Sequence, residues 1–323
     1  MNEKLEILNK IKQYDTIIIL RHIRPDGDCL GSSLGLREIL RASFPNKKIY
    51  SLGEDESDYL SFLGDEDPKL DPEAYKDALV IVLDTATSER IDNQLFGSAK
   101  EIIKIDHHLR VEDYGATNYV REDLPATSAI IMDLVLTFKD ELKFNQQAAK
   151  YLYVGLVTDT GRFKYHGVGP EVMRMAAAML EQNIDLDDIY AHLYIQDPKP
   201  LKLQGYILNH FKTTEHGVSY VFLSRSLQKR FGVSTEEASA LVNMLDSIRG
   251  HLIWIFFVAG KEKIRVRIRS RFVGVNELAA KYHGGGHRQA SGASLSHRSE
   301  IKKMLKEADL LLLEYKTAHP EAF

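Results

Sequence analysis

Cysteine is almost absent from this chain of 323 residues, in which Cys29 is the only one. A single thiol excludes an internal disulfide and a cysteine zinc cluster. Long apolar runs are absent too: the stretch 252–259 is among the longest, far short of the roughly 20 residues that span a bilayer. The first residues are charged and amphipathic, unlike a secretory signal, so we expect a cytoplasmic protein without a membrane partner.

An excess of positive charge is missing as well. Lys and Arg number 42 and Asp and Glu number 46, which leaves a formal charge of −4. Because binding of long duplex DNA is dominated by neutralisation of phosphates, this balance argues against such a partner. It leaves room for a short nucleotide in a local basic pocket. With 44% hydrophobic and 27% charged residues the chain has a globular composition, and its length suggests two domains.

Short apolar runs alternate with helical patterns in the first part of the chain, which is typical of a parallel α/β sheet. We predict helices on both faces of this sheet. The predicted strands are 16–20, 48–52, 78–83 and 101–105, and the predicted helices are 30–44, 127–138, 145–157 and 170–181.

The second part of the chain is predicted to form a smaller, mixed α/β domain. We interpret the stretch 186–204 as a helix-containing linker between domains 1–185 and 205–323, with a cleft between the domains. The predicted strands are 218–223, 252–258, 264–268 and 293–295, and the predicted helices are 235–245, 275–281 and 298–315.

Carboxylate and imidazole side chains follow three of the predicted strands and end one predicted helix. The members of this set are His22, Asp26, Asp28, Asp84, Asp106, His107, His108 and Asp159. Because ligands bind beyond the carboxyl ends of parallel strands, we expect these residues to converge there. Imidazole and carboxylate without thiolate suit manganese, magnesium or iron more than a structural zinc. The pattern therefore predicts a two-metal phosphoesterase centre.

Taken one at a time, these residues have other interpretations. Asp26 would be a turn aspartate, Asp84 a helix N-cap, Asp159 a residue of a C-terminal turn and His22 a core histidine. Asp26 and Asp28 share strand parity, so in an extended loop both carboxylates would point the same way, one toward each metal.

A row of arginines marks the second domain. Arg265, Arg267 and Arg269 alternate with Val266 and Ile268. On a strand the three guanidinium groups would share one face, where their planar forks match phosphate. A solvated sheet face is the alternative interpretation.

A glycine-rich segment follows about fifteen residues later. Gly284, Gly285 and Gly286 lead into His287, and Ser291 comes shortly after. Glycines let a backbone approach a ligand closely and offer amide donors to phosphate. Coupled to the arginine strand, the segment is predicted to be a loop that holds a nucleotide.

Together these motifs resemble the DHH phosphoesterase superfamily. His22-x-x-x-Asp26-x-Asp28, Asp84 after a strand, Asp106-His107-His108 and Asp159 resemble its four N-terminal motifs. Gly284-Gly285-Gly286-His287-x-x-Ala290-Ser291-Gly292 resembles the signature of the DHH-associated C-terminal domain. The spacing of both halves is most similar to the oligoribonuclease/pAp-phosphatase branch, in which pAp is 3′-phosphoadenosine 5′-phosphate.

The resemblance implies two divalent metal ions, manganese most often. It assigns one metal to His22, Asp26 and Asp84, and the other to Asp28, Asp84, His107 and Asp159, so that Asp84 bridges. It implies that Asp106 orients a ligand histidine from behind and that His108 faces the substrate phosphate. Arg265, Arg267, Arg269, the glycines, His287 and Ser291 would hold the nucleotide.

The implied activity is hydrolysis of short RNA oligonucleotides to mononucleotides and of pAp to AMP. Phosphodiester cleavage of a linear dinucleotide such as pApA needs the same residues and stays open. A pyrophosphatase of the family II type shares the first-domain motifs, but pyrophosphate has no base or sugar for the glycine segment. A processive single-strand DNA exonuclease and a nucleotide sensor with a degenerate site are less favoured.

The chain departs from the family pattern at two places. Cys29 stands where a small alanine is usual, and Leu109-Arg110 follow the histidine pair where proline and a polar residue are common. Arg110 could add a phosphate contact, although a solvated surface arginine is the simpler interpretation. The roles of Cys29 and Arg110, and the oligomeric state, for which a homodimer is one candidate, are left open.

Overall fold

The computed structural model describes residues 2–55, 57–165, 167–195 and 198–320. Contacts within the chain divide it into two compact units, Met1–Ile195 and Gln196–Phe323. The predicted boundaries at 185 and 204 and the cleft between the domains stay predictions, and residues 196 and 197 of the predicted linker lie outside the described residues. Among those residues, no helix is both long enough and apolar enough to cross a bilayer.

The first unit is built on a five-stranded sheet. Its strands are β1 (Thr16–Leu20), β2 (Lys48–Leu52), β3 (Leu79–Leu83), β4 (Glu101–Asp106) and β5 (Thr117–Val120). The order is β2-β1-β3-β4-β5, and every neighbouring pair is parallel, so all carboxyl ends meet at one edge. The central strands β1 and β3 are runs of β-branched and aliphatic residues, as expected where both faces are buried.

Helical segments cover both faces of this sheet, as predicted, but the α-helices pack on one face and short 3-10 helices on the other. The α-helices of the first unit are α1 (Asn2–Gln13), α2 (Gly27–Ser43), α3 (Thr127–Thr137), α4 (Gln146–Asp159), α5 (Pro170–Leu180) and α6 (Leu186–Tyr194). They share one core with Ile17, Ile19 and Ile81 of the sheet. Residues of the opposite parity pack instead against short 3-10 segments, which include Pro72–Tyr75 and Gln94–Ser98.

The second unit is built on a six-stranded mixed sheet with the order β10-β11-β9-β8-β7-β6. Its strands are β6 (Lys212–Thr213), β7 (Ser219–Leu223), β8 (Ile253–Ala259), β9 (Ile264–Ser270), β10 (Gly285–His287) and β11 (Ala290–Leu295). Its α-helices are α7 (Pro198–His210), α8 (Arg225–Phe231), α9 (Thr235–Ala240), α10 (Asn276–Ala280) and α11 (Glu300–Ala318). The pair β7–β8 is parallel and the other pairs are antiparallel.

Helices lie on both faces of the second sheet as well. One core joins β8 and β9 to α10 and α11, and the other joins β8 to α7, α9 and the 3-10 segment Leu241–Leu245. The glycine segment differs from the prediction, because Gly285–His287 is a strand paired with β11 rather than a loop. The predicted helix 235–245 is α9 followed by that 3-10 segment.

Candidate metal centre

The ends of three strands bring the predicted residues to one edge of the first sheet. His22 lies two residues beyond β1, Asp84 directly follows β3, and Asp106 is the last residue of β4. Asp84 has a left-handed backbone with a φ of 54°. This conformation is uncommon for residues other than glycine and is often found at functional sites. Two helices contribute the rest, since Asp28 lies in the first turn of α2 and Asp159 ends α4.

The first group of donors surrounds His22. Its Nε2 lies 3.5 Å from Oδ2 of Asp26 and 3.4 Å from Oδ2 of Asp84. Its Nδ1 donates to the carbonyl oxygen of Ile23 at 2.7 Å. Since a carbonyl only accepts, the proton is on Nδ1, and a neutral ring then leaves Nε2 free to ligate a metal.

The second group surrounds His107. Its Nε2 lies 3.3 Å from Oδ1 of Asp84 and 3.2 Å from Oδ2 of Asp159. Donor atoms of Asp28, His107 and Asp159 all lie within 4.8 Å of one another. Asp84 therefore turns one oxygen toward each histidine group, which is the arrangement of a bridging ligand.

The two aspartates of the first motif do not share an extended loop, contrary to the prediction from strand parity. Asp26 is the N-cap of α2, and its Oδ1 accepts hydrogen bonds from the backbone N–H groups of Asp28 and Cys29 at 3.1 and 3.0 Å. Asp28 is already helical and fully buried. Its carboxylate accepts from the N–H groups of Thr127 and Ser128, at 2.6 and 2.9 Å, in the first turn of α3.

Asp106 orients His108 and not the ligand histidine that was predicted. Its Oδ1 accepts a hydrogen bond from Nδ1 of His108 at 2.8 Å and another from the backbone N–H of that residue at 3.3 Å. Its other oxygen lies 3.4 Å from Nζ of Lys104. The contact fixes the His108 ring so that Nε2 points away from Asp106.

Lys104 is a functional candidate that the sequence reasoning missed. It is fully buried in β4, and its Nζ donates to the carbonyl oxygens of Ala86 and Glu112, each at 2.9 Å. A lysine inside the strand Glu101–Asp106 was the available signal, because lysine is almost never fully buried without a partner. Its acidic partner is Asp106, the same carboxylate that accepts a hydrogen bond from His108.

The electrostatics of the centre are dominated by converging carboxylates. Burial acts to raise the pKa of Asp84, but hydrogen bonds from His107 and His22 outweigh it and hold that pKa well below its usual range. Burial and the charge of Asp84 raise the pKa of Asp28 to about 7, and burial and the charge of Asp28 raise that of Asp159 to about 9. Burial acts to lower the pKa of His107, but the contact with Asp84 raises it to about 10. More negative charge converges here than imidazole neutralises, a condition that favours divalent cations.

The spacing of the donors also fits cations. Two atoms that each lie about 2.1 Å from one cation, at angles of about 90–109°, are about 3.0–3.4 Å apart. The nitrogen–oxygen distances around His22 and His107 run from 3.2 to 3.5 Å. The residues present therefore suit oxygen- and nitrogen-liganded divalent metals.

Cys29 and Arg110 depart from the family pattern and are not among the residues that the resemblance assigns to the two cations. Cys29 is nevertheless close enough to His22 and Asp26 to complete a three-residue group. Burial raises the pKa of its thiol to about 12, and the sulfur donates to the carbonyl oxygen of Asp26 at 3.7 Å. Arg110 forms an exposed ion pair with Asp113 at 2.7 Å.

A strained turn follows Asp159. Gly161, Arg162 and Phe163 are all left-handed, with φ values of 54°, 63° and 61°. For residues other than glycine this conformation costs roughly 1–2 kcal/mol each. The turn ends α4 at Asp159 and places the guanidinium of Arg162 4.5 Å above the ring of Tyr194.

The arginine strand of the second unit alternates as predicted. Val266 and Ile268 are fully buried, whereas the three arginines of β9 are half-buried on the opposite face. Arg265, however, is in an ion pair with Glu236 at 3.0 Å. Arg267 has no acidic partner within 4.0 Å among the described residues, and it is therefore the best-placed anion ligand of the row.

The glycine segment lies beside this row. Gly292 of β11 is paired with Arg267 on one side and with Gly285 on the other. In the same way, Ala290 is paired with Arg269 and with His287. These glycines leave the sheet without side chains next to Arg267, so the backbone is open to a ligand.

The three consecutive glycines are not equivalent. A Cβ on Gly284 or Gly286 would meet the backbone of β11 at 2.0 or 2.7 Å, whereas one on Gly285 would meet nothing within 4 Å. Glycine is therefore required at 284 and 286 for the strands to pack, whereas the space next to Gly285 is open to a ligand.

Ser291 does not face this surface, contrary to the prediction. It is opposite Ile268 in the register, it is buried, and its hydroxyl donates to the carbonyl oxygen of His287 at 2.8 Å. Its role is to brace the β10–β11 hairpin.

Comparison with known proteins agrees with both halves of this description. Residues 16–156 match the DHH family, N-terminal domain, and residues 217–314 match the DHHA1 domain. The chain is 39% identical over 313 residues to the bifunctional oligoribonuclease and PAP phosphatase NrnA of Bacillus subtilis, covering 97% of this chain and 99% of that protein. It is 38% identical over 304 residues to the probable bifunctional oligoribonuclease and PAP phosphatase NrnA of Streptococcus mutans, covering 93% and 97%.

A solved structure is similar over the whole chain. The crystal structure of an exopolyphosphatase-related protein from Bacteroides fragilis matches with a TM-score of 0.86 and 26% identity, covering 99% of this chain and 98% of that one. With both domains matched and relatives aligned nearly end to end, the chain belongs to the DHH family, in the group that contains the NrnA proteins.

Proposed function

We propose that this protein is a metal-dependent phosphohydrolase that cleaves short RNA oligonucleotides to mononucleotides and dephosphorylates pAp to AMP. The observation that carries the proposal is the convergence of carboxylates and imidazoles around Asp84, in a chain 39% identical to a protein named for both activities. Manganese is the metal we expect, because the donors are oxygen and imidazole nitrogen without thiolate.

The donor groups divide between two cations. His22, Asp26 and Asp84 would hold one, and Asp28, Asp84, His107 and Asp159 the other. When bound, such a metal pair generates hydroxide from water near neutral pH and offsets the charge of the phosphate.

The chain's own residues position the substrate around that chemistry. Because Asp106 accepts from Nδ1 of His108, its carboxylate would stabilise the imidazolium form of the ring, in which Nε2 can donate to a phosphoryl oxygen. Asp28 is fixed by the N–H groups of Thr127 and Ser128, so its carboxylate does not have to reorganise when a cation binds.

The second unit supplies the nucleotide contacts in this proposal. Arg267 offers a guanidinium that has no carboxylate within 4.0 Å in the described part of the chain. Gly285 offers backbone free of side chains, and His287 shares the same face of the sheet. Arg269 is next to His287 in register but also donates to the carbonyl oxygen of Ile268 at 3.0 Å, so we give it the smaller share of binding. Arg265, held by Glu236, and Ser291, on the other face, are no longer part of the proposed contact set.

The test compares Asp84→Asn with Asp113→Asn as a matched control. Asp84 contacts both histidine groups, whereas Asp113 pairs with Arg110 at the surface. Losing a shared ligand removes several kcal/mol of charge stabilisation, so we expect kcat on a labelled RNA trimer and on pAp to fall about 10³-fold or more. The control should stay within about twofold of wild type, the small effect usual for surface changes.

The same preparations are tested with pApA and pyrophosphate, with Mn²⁺ and with EDTA. Turnover by Asp84→Asn equal to that of the control would contradict the two-metal assignment. Faster turnover of pyrophosphate than of RNA and pAp by wild type would leave the metal centre intact and replace the substrate assignment.

A further inference from the structure

A groove of about 660 Å³ opens at the β6–β7 edge of the second sheet. It lies between α7 and the start of α11, so every lining residue belongs to the second unit. In the strand order β10 is four strands from β7, which at about 4.8 Å per strand is about 19 Å. The groove is therefore separate from the proposed nucleotide contacts at Gly285 and His287.

The polar part of the groove is cationic. Lys212, Arg298 and Lys302 line it, and no Asp or Glu is among the described residues of the lining. Among the described residues, none of these three side chains has a carboxylate within 4.0 Å. Unpaired cations that converge in a concave surface attract an anion.

The remaining lining is aromatic and aliphatic. Tyr206 and His210 are stacked, with ring centroids 3.9 Å apart and an angle of 11° between the planes. The guanidinium of Arg298 lies 4.3 Å above the ring of Phe222. Buried Ile301 and Leu305 form the apolar floor. Inorganic phosphate alone would leave these surfaces uncovered, whereas a planar ring would cover them.

We propose that this groove binds a nucleoside monophosphate at a second, non-catalytic site. Arg298, Lys302 and Lys212 would hold the phosphate, and the Tyr206–His210 stack would carry the base. Its volume falls in the range of small-ligand sites, roughly 300–1,000 Å³. Stacking on aromatic rings combined with phosphate neutralisation is the chemistry by which proteins hold single nucleotides without reading their sequence.

The experiment measures AMP binding to the full chain by equilibrium dialysis with EDTA present. The groove variant is Arg298→Gln with Lys302→Gln. The control is Lys303→Gln with Lys306→Gln, which removes the same charge from exposed positions of α11 outside the groove. We expect wild type and control to bind two AMP molecules per chain, and the groove variant to lose one or to bind it at least tenfold more weakly.

Two further arms identify the ligand and separate this site from the proposed active centre. Tyr206→Leu should weaken AMP binding but not the weaker binding of inorganic phosphate, because only AMP has a ring to stack. Arg267→Gln should keep the groove site, and the groove variant should hydrolyse an RNA trimer at the wild-type kcat. Equal AMP binding by groove variant and control would overturn the proposal. So would phosphate binding as tightly as AMP, or an acidic peptide displacing AMP from the site.

Discussion

The packing of α2 against α4 makes Gly31→Ala the most revealing single change in this protein. A Cβ at Gly31 would lie 2.5 Å from the carbonyl oxygen of Tyr151 and 2.8 Å from the backbone nitrogen of Gly155. Both obstacles are backbone atoms of α4, which cannot rotate away. To restore an ordinary contact of 3.4 Å, the two helices must separate by about 0.9 Å.

The expected effect on stability follows from two opposing contributions. Overpacking a well-packed interface costs about 1–3 kcal/mol, and backbone obstacles place Gly31→Ala near the upper end. Replacing a helical glycine by alanine returns about 1 kcal/mol, so we expect a net loss of about 2 kcal/mol. Gly205→Ala in α7 is the matched control, because a Cβ there meets nothing within 4 Å, and we expect it to stabilise the protein by about 1 kcal/mol.

The effect on activity should be larger than the effect on stability. The two helices carry Asp28 and Asp159, so separating them moves proposed ligands of the same cation apart. A misplacement of about 1 Å costs up to about 10²-fold in rate. We expect kcat on pAp to fall by one to two orders of magnitude while KM changes little, with stability measured by urea unfolding. A Gly31→Ala variant as stable and as active as Gly205→Ala would refute the reasoning.

The remaining predictions concern the two units separately. Replacing Lys104 by Met removes the cation that pairs with Asp106, which in turn holds His108. We expect kcat to fall about 10- to 100-fold at unchanged Mn²⁺ affinity, the effect usual for residues that position a ligand or catalytic side chain. An unchanged kcat would contradict this role. Ser291→Ala should lose about 1 kcal/mol of stability at unchanged KM, because its hydroxyl braces the hairpin; a rise in KM would return Ser291 to the substrate surface. Mn²⁺ at a hundredfold excess over its Kd should stabilise wild type by about 2.7 kcal/mol in urea unfolding. The same addition should not stabilise Asp84→Asn, and equal stabilisation of both would argue against Asp84 as a ligand.

The features that depend on strand ends were predictable from the sequence. Runs of β-branched residues mark β1, β3 and β4, and the residues next to their carboxyl ends must meet if the strands are parallel neighbours. His22, Asp84 and Asp106 were placed correctly for this reason. The alternation of β9 was equally readable, because one face of the strand packs on a core.

The errors arose where side-chain direction depends on local backbone or on register. Parity arguments hold only for extended chain, and Asp26 begins a helix, so Asp28 turns into the core toward α3. The face on which Ser291 lies depends on which residue of β11 pairs with Ile268, and this long-range register cannot be read from the composition of either strand. The ion pair of Arg265 joins residues 29 positions apart and has no sequence signature.

The shorter elements were missed for a different reason. β5, Thr117–Val120, has four residues and is partly polar, too short for a period of two to be recognised. Lys104 was overlooked because a lysine within an apolar strand suggests an edge or a solvated position. Here Asp106 and two carbonyl oxygens compensate its charge inside the sheet.

The left-handed turn after Asp159 has a consequence for how this protein could be made more heat-resistant. Glycine adopts that backbone without steric cost, so glycine at the exposed position 162 would release about 1–2 kcal/mol of strain. At position 163 the same change would also remove the packing of the Phe163 ring on the core, so selection for thermal tolerance should favour the change at 162 alone. Arg162→Gly would also remove the contact between the guanidinium and the ring of Tyr194. If this variant is more stable but has a lower kcat, the strained backbone at Arg162 is needed for activity.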